Sequence, residues 1–181
     1  MVYVLLAEGF EEIEALTPVD ILRRGGVEVR TVGITGRTVT GSHDIAVTAD
    51  ILPEEIGADL EMLVFPGGLP GSDNLDASPE TDRLLALAEK NGAHVAAICA
   101  APYILGKRGL LSGLRATSYP AEKVRSQLLG ATVTDERVVT DGRFTTGAGM
   151  GAAAEFSLRL LALLRGEETA AAVGAAALFL S

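Results

Sequence analysis

A chain of 181 residues with a net charge of −9, no tryptophan and few aromatics repels nucleic-acid phosphates and anionic membrane surfaces and lacks stacking platforms for bases. This length buries a core without a metal or disulfide staple, and the one cysteine cannot close an internal disulfide, which points to a reducing, cytoplasmic setting. No apolar run approaches the ~18 residues of a membrane span, no basic segment precedes the first apolar run as in a signal peptide, and no repeat or compositional break divides the chain, so residues 1–181 read as one domain.

"VYVLLA" (2–7) reads as a buried strand and "EEIEALTPVDILRRGG" (11–26) as a helix, kinked at Pro18 and stopped by Gly25 and Gly26. "VEVRTVG" (27–33) is a second strand, and "RTVTGSHDIAVTAD" (37–50) alternates like a hairpin about Gly41 and Ser42. "EMLVFPGG" (61–68) is a strand ending in a glycine turn. "SPETDRLLALAEKNG" (78–92) has Ser78 as N-cap, Pro79 at the first helical position and Gly92 as stop. "HVAAIC" (94–99) is another buried strand, "APYILGKRG" a short helix and "GRFTTGAG" (142–149) a late strand with a glycine turn. "AAAEFSLRLLALLRG" (152–166) and "EETAAAVGAAALFL" (167–180) close the chain as helices. Strands alternating with helices predict a mainly parallel sheet covered on both faces, with its site beyond the carboxyl ends of the strands.

Three features fall at such ends: "EGFEEIE" after the first strand, "PGGLPG" after the strand at 62–65, and "CAAP" after the strand at 95–98. A lone cysteine is often a buried structural residue. Cys99 stands at a strand-to-helix turn among small neighbours, where a helix N-terminus favours a thiolate and lowers its pKa, so the position favours the reactive reading. Glu11, Glu12 and Glu14 fall at a helix start, where carboxylates suit the dipole; for Glu11 and Glu12 that solvated role is the expectation. Glu14 lies between Ile13 and Leu16, and a carboxyl turned inward there has a raised pKa, donates to sulfur and titrates with the thiol as a coupled pair. The adjacent glycines of "PGGLPG" let backbone N–H groups approach a reacting oxygen, and the N–H groups of Gly68 and Ala100 are the natural oxyanion pair. No Lys-Ser/Thr follows, so this is not a phosphate loop. His94 starts its strand and belongs at the sheet's far end, ~15 Å or more from Cys99 by strand rise. His43 sits in the hairpin turn, exposed to solvent within one chain. One cysteine and two scattered histidines support neither a Cys-His-Asp triad nor a zinc site.

"EGFEEIEALTPVDILRRGG", "VFPGGLPGSDNL" and "AAICAAPYIL" resemble the ThiJ/PfpI superfamily, specifically its parkinsonism-associated deglycase (DJ-one) branch, over essentially the whole chain. The resemblance implies a flavodoxin-like three-layer α/β sandwich with a nucleophile elbow, working as a homodimer. It implies Cys99 as nucleophile and redox-sensitive thiol, Glu14 as its protonated partner, and Gly68 and Ala100 as the oxyanion hole. Gly67, His43, Tyr119 and Arg24 are the further candidates for the pocket or the dimer interface. No cofactor and no metal are implied. The implied activities are a glyoxalase or deglycase acting on small 2-oxoaldehydes such as methylglyoxal, or on their early glycated adducts, and alternatively an oxidative-stress sensor or holdase chaperone switched by oxidation of Cys99. Two departures stand out. Many animal members have histidine in a "THP"-like segment; here it is "TSYP", with Tyr119, and a phenol is a poor base at neutral pH. Animal members often have arginine where His43 stands, in a hairpin near the dimer interface, so the resemblance implies that His43 reaches the partner's pocket. Ala100 in place of the histidine that follows the cysteine in the protease-like branch disfavours a peptidase, and the absence of a C-terminal His-x-Glu disfavours a glutamine amidotransferase.

Overall fold

The computed structural model describes residues 1–179. In chain order the elements are β1 (Val2–Leu6), α1 (Glu12–Arg24), β2 (Val29–Gly33), β3 (Thr38–Thr40), β4 (Ala46–Thr48), β5 (Met62–Phe65), α2 (Gly71–Ala77), α3 (Pro79–Asn91) and β6 (His94–Ile98). They continue with α4 (Pro102–Lys107), β7 (Arg115–Ala116), α5 (Glu122–Arg125), β8 (Thr132–Val133), β9 (Val138–Asp141), β10 (Phe144–Gly147), α6 (Ala153–Arg165) and α7 (Glu167–Ala176). The central sheet has the order β2-β1-β5-β6-β10-β9, parallel throughout except for β9, which runs antiparallel to β10 at the edge. This is the mainly parallel sheet with helices on both faces that the alternating pattern predicts.

Side chains along each strand point to opposite faces, so the sheet carries two cores. Val2, Val4 and Leu6 of β1 and Ala96 and Ile98 of β6 pack with Leu22 of α1 and Phe156, Leu160 and Leu161 of α6. Tyr3, Leu5, Leu63, Phe65, Val95 and Ala97 pack on the other face with Leu75 of α2, Leu84 and Ala88 of α3 and Ile104 and Leu105 of α4. Strands buried on both faces need apolar residues at every position, which is why "VYVLL" and "HVAAI" read as continuous apolar runs.

The predicted elements lie within a few residues of the observed ones. Ser78 caps α3 through its hydroxyl, which accepts from the Glu80 N–H, and Gly92 ends it in the left-handed conformation. Helix α1 continues through Pro18. Helix α7 ends at Ala176, and Leu180, the last residue of its predicted span, lies outside the described residues. Short pieces carry too little periodicity to be seen in the sequence: α2, α5, the β7–β8 pair and the antiparallel edge strand β9. Among the described residues no helix is long and apolar enough to cross a membrane.

The register aligns the carboxyl ends of the four inner strands, pairing Val64 with Ala96, Phe65 with Ala97 and Gly147 with Ile98. The loops after Leu6, Phe65, Ile98 and Gly147 therefore open on one edge of the sheet. Phe156 is fully buried between α6 and the sheet. Phe156→Ala should lose about 3–5 kcal/mol in urea unfolding, whereas Leu163→Ala, at a position 45% exposed on the same helix, should stay within about 0.5 kcal/mol of the wild type.

Candidate active site

Cys99 directly follows β6 and has φ +65, a left-handed conformation that costs a non-glycine residue energy. Both of its backbone groups are tied down. Its N–H donates to Gly147 O at 2.9 Å, and its carbonyl accepts from the Tyr119 N–H at 2.8 Å. The sheet and the 117–119 segment thus enforce a sharp elbow that turns the half-buried thiol toward the loop after β5.

That loop supplies the glycines. A Cβ on Gly67 would lie 2.4 Å from Glu14 Oε2 and 2.7 Å from Cys99 Cβ, so only glycine fits between the two side chains. Gly68 has φ +91, and its N–H and that of Ala100 both face the Cys99 sulfur. The two expected oxyanion donors are therefore together.

Glu14 reaches the thiol from the first turn of α1. It is 1% exposed. Its Oε2 accepts from the Gly67 N–H at 2.9 Å, while Oε1 is buried without a hydrogen-bond partner of regular geometry. Burial is the largest influence on its acidity and raises its pKa to about 7; the facing thiol and the Gly67 and Met150 N–H groups pull the other way, and Glu11 adds repulsion. The thiol does not follow the expectation of a sulfur acidified by its helix alone. Burial pushes Cys99 up, and an ionised Glu14 beside it pushes further, against the Ala100 and Gly68 N–H groups. Helix α4 has only six residues and offers little dipole to oppose this. With Glu14 protonated the repulsion disappears and the carboxyl proton faces the sulfur as a third donor, so the two groups titrate as one coupled pair.

One expectation needs correction. Glu11 and Glu12 are not solvated: both are buried. Glu11 is the N-cap of α1, its Oε2 accepting from the Glu14 N–H at 2.8 Å, and Glu12 accepts from the hairpin through His43 N at 2.7 Å and His43 Nδ1 at 2.8 Å. Arg24 is outside the pocket of the single chain. It pairs with Asp20 on the exposed side of α1, ten residues beyond Glu14 and so ~15 Å along the helix. His43 is exposed in the hairpin turn, and its ring meets Glu12 rather than Cys99. Tyr119 is 51% exposed; its ring and the thiol both border Gly149. His94 lies at the start of β6, its Nε2 2.8 Å from Thr145 Oγ1, with burial and Arg143 lowering its pKa to about 4. That is the structural role expected of it.

The sequence reading missed the loop after β10. A Cβ on Gly149 would lie 4.0 Å from Cys99 Sγ, and the Met150 N–H faces the Glu14 carboxylate. The signal was present: "FTTGAG" ends a fourth strand on the same edge of the sheet.

The chain is similar to known proteins over most of its length. The model of the DJ-1/PfpI family matches residues 1–163. Protein dj-1beta of Drosophila melanogaster is 39% identical over 167 residues, covering 91% of this chain and 89% of that protein. Its crystal structure superposes with a TM-score of 0.90 over 98% of this chain and 96% of that one. The glutathione-independent glyoxalase DJR-1.2 of Caenorhabditis elegans is 31% identical over 162 residues, covering 89% of this chain and 86% of that protein.

The buried carboxyl has a consequence for stability. Between its ordinary value of 4.5 and about 7 the folded chain holds a proton at Glu14 that the unfolded chain has released, so stability falls as pH rises through this window. Glu14→Gln keeps an acceptor for the Gly67 N–H and removes the titration. Its unfolding free energy should gain on the wild type from pH 4.5 to above 7, by up to about 3 kcal/mol at 1.36 kcal/mol per pKa unit, measured by urea unfolding at each pH.

Proposed function

The chain belongs to the DJ-1/PfpI family, and we propose that it is a cysteine-dependent, cofactor-independent glyoxalase or deglycase for small 2-oxoaldehydes and their early adducts. The observation that carries this reading is the buried Glu14 carboxyl facing the elbow thiol, with two N–H groups converging on the same sulfur. The family relative named a glutathione-independent glyoxalase supports it.

The chemistry follows from the coupled pair. At rest Glu14 holds its proton, and the reactive form arises when Cys99 gives its own proton to solvent while the Glu14, Gly68 and Ala100 donors face the sulfur. The thiolate attacks the aldehyde carbon of methylglyoxal, and the carbonyl electron pair moves to oxygen, which the Gly68 and Ala100 N–H groups receive. Bond formation at sulfur frees the Glu14 proton, which passes to that oxygen and gives a hemithioacetal. The carboxylate left behind takes the proton from the former aldehyde carbon and returns it to the neighbouring carbon, while the hydroxyl proton of the hemithioacetal passes to the ketone oxygen. The product is a thioester of lactate on Cys99; water cleaves it, releasing lactate and restoring thiolate and acid. Methylglyoxal and one water become lactic acid with no external electron donor or acceptor. Attack on a glycated adduct that regenerates the aldehyde begins with the same step.

A second reading is favoured by one feature: the donors converge on sulfur itself and Tyr119, not a basic residue, stands at the mouth. The same donors would stabilise the oxygens of a Cys99 sulfinate, so an oxidation sensor or holdase is the alternative.

Assembly is part of the proposal. Ile13 is 50% and Leu16 37% exposed on the outer face of α1, next to half-exposed Phe179. We infer that a second copy covers this face. Sedimentation should show a dimer at micromolar concentration, and Leu16→Glu should shift it toward monomer; a monomeric wild type removes the dimer.

The activity test is lactate production from methylglyoxal. Cys99→Ser should abolish it. Glu14→Gln should lose about 10²–10⁴-fold in turnover, the range of a positioned proton shuttle, while Cys99 stays open to alkylation. Tyr119→Phe should change turnover less than about tenfold. Wild-type protein that makes no lactate, together with Cys99 that oxidises to sulfinate and changes partner binding, supports the sensor instead.

A further inference from the structure

The segment from Glu8 to Glu12 is held on both sides. On one side lies the catalytic glycine turn: the Glu11 N–H donates to Gly67 O at 2.9 Å, the Gly71 N–H donates to Gly9 O at 3.2 Å, and a Cβ on Gly68 would lie 2.4 Å from Glu11 N. On the other side lies the β3–β4 hairpin. The Gly9 N–H donates to Thr40 O and the Ser42 N–H to Phe10 O, both at 2.8 Å. The hairpin also closes over the Glu12 carboxylate. A Cβ on Gly41 would lie 2.3 Å from Glu12 Oε1, Ser42 Oγ is 3.3 Å from Oε2, and the His43 backbone N–H and ring Nδ1 donate to Oε1 and Oε2.

Among the described residues of one chain, the ionisable groups that act most on the His43 ring are acidic: Glu12 and Glu11 at the start of α1, and Asp44 beside it on the hairpin. Glu8, at the hairpin base, accepts from the Thr40 N–H. Among the described residues of one chain, His43 when protonated is the one cation paired with the buried Glu12 carboxylate, whose backbone neighbour, Glu11, caps the turn carrying Glu14.

We propose that His43 and Glu12 form a proton-gated clamp that positions Glu14 and the Gly67–Gly68 turn against Cys99, tight while the imidazole is charged and loosened when it is neutral. Both act as positioning residues, since neither touches the thiol. The proposal deepens the function proposed above and rests on it for the role of Glu14. The hydrogen bond from His43, and the attraction between the charges, raise the imidazole's pKa from its ordinary 6.5. Burial alone would raise Glu12, but the hydrogen bonds from His43 outweigh it and hold the carboxyl low. The clamp is therefore complete below pH 6.5 and is lost as pH rises through the imidazole's raised value. A neutral ring with its proton on Nδ1 still donates to Glu12 but no longer balances its charge.

The test compares wild type with His43→Arg, a permanent cation, and His43→Gln, a permanently neutral donor, from pH 6 to 9. The readouts are the rate of Cys99 alkylation by iodoacetamide and kcat/KM for methylglyoxal. Taking the ratio of wild type to His43→Arg cancels the titrations of Cys99 and Glu14 that both proteins share. The ratio should be near one at pH 6 and fall about fivefold or more by pH 9, the low end of ordinary coupling between sites. Its midpoint should match the His43 ring titration seen by NMR, and Glu12→Gln should return that titration toward 6.5. A flat ratio, with His43→Gln as reactive as His43→Arg at every pH, overturns the clamp. If the variants fold poorly, hydrogen exchange of the Gly9 and Ser42 amides in wild type decides: protection, corrected for intrinsic pH dependence, should drop across the ring's midpoint, and constant protection overturns the proposal. Alkylation and exchange read the clamp whether or not methylglyoxal is a substrate, so absent turnover removes the glyoxalase and leaves the clamp tested.

Discussion

A carboxyl group withdrawn from water beside a thiol is the constraint around which the rest is arranged. Glu14 can be buried only because Gly67 offers an N–H to one oxygen and no side chain of its own. The other oxygen has no regular partner. An unpaired polar atom in a buried site is unfavourable, and a proton shared with sulfur satisfies it. The acid and the nucleophile therefore relieve each other's desolvation and titrate as a coupled pair. The elbow at Cys99 serves the same end: its left-handed backbone, fixed through Gly147 and Tyr119, is strain held in place by the surrounding sheet.

The three acidic residues at the start of α1 look interchangeable in sequence and do three different things. Glu11 faces the helix and caps it, Glu12 faces the hairpin, and Glu14 faces the thiol. Successive helical residues are rotated by about 100° from one another, so three carboxylates within four positions address three neighbours. The loop that contains them is packed between backbone on both sides, at Gly41 and Gly68. A shift on the hairpin side is therefore carried to the glycine turn by contact through a close-packed segment, which has little free volume to absorb it.

Much of this was legible in the sequence, for physical reasons. Parallel strands buried on both faces announce themselves as apolar runs, and the residues after them gather at one edge, so Cys99, Glu14, Gly68 and Ala100 could be placed together before any coordinates. Burial of Glu11 and Glu12 was not legible, because it depends on a hairpin that folds back over the helix start from thirty residues away. The contribution of Gly149 and Met150 was hidden for a similar reason. Backbone N–H groups bring no side-chain signature, and only the pairing of β10 with β6 shows that this loop reaches the thiol. The acidity of the thiol is not legible in a strand-to-helix turn, because a six-residue helix supplies little dipole and the fold buries the sulfur beside Glu14.

The position of Tyr119 bears on which chemistry the site can support. A phenol is a poor base for a thiol at neutral pH. In the proposed reaction the proton is instead carried by the Glu14 carboxyl that faces the sulfur. This arrangement suits a reaction in which one group must hold a proton, lose it and take another in succession, because a carboxyl with a pKa of about 7 is poised for both directions at neutral pH. A redox sensor needs the thiolate but not the return of the proton. What separates the two roles is thus the reversibility of the Glu14 proton, a property of the carboxyl's burial more than of the cysteine.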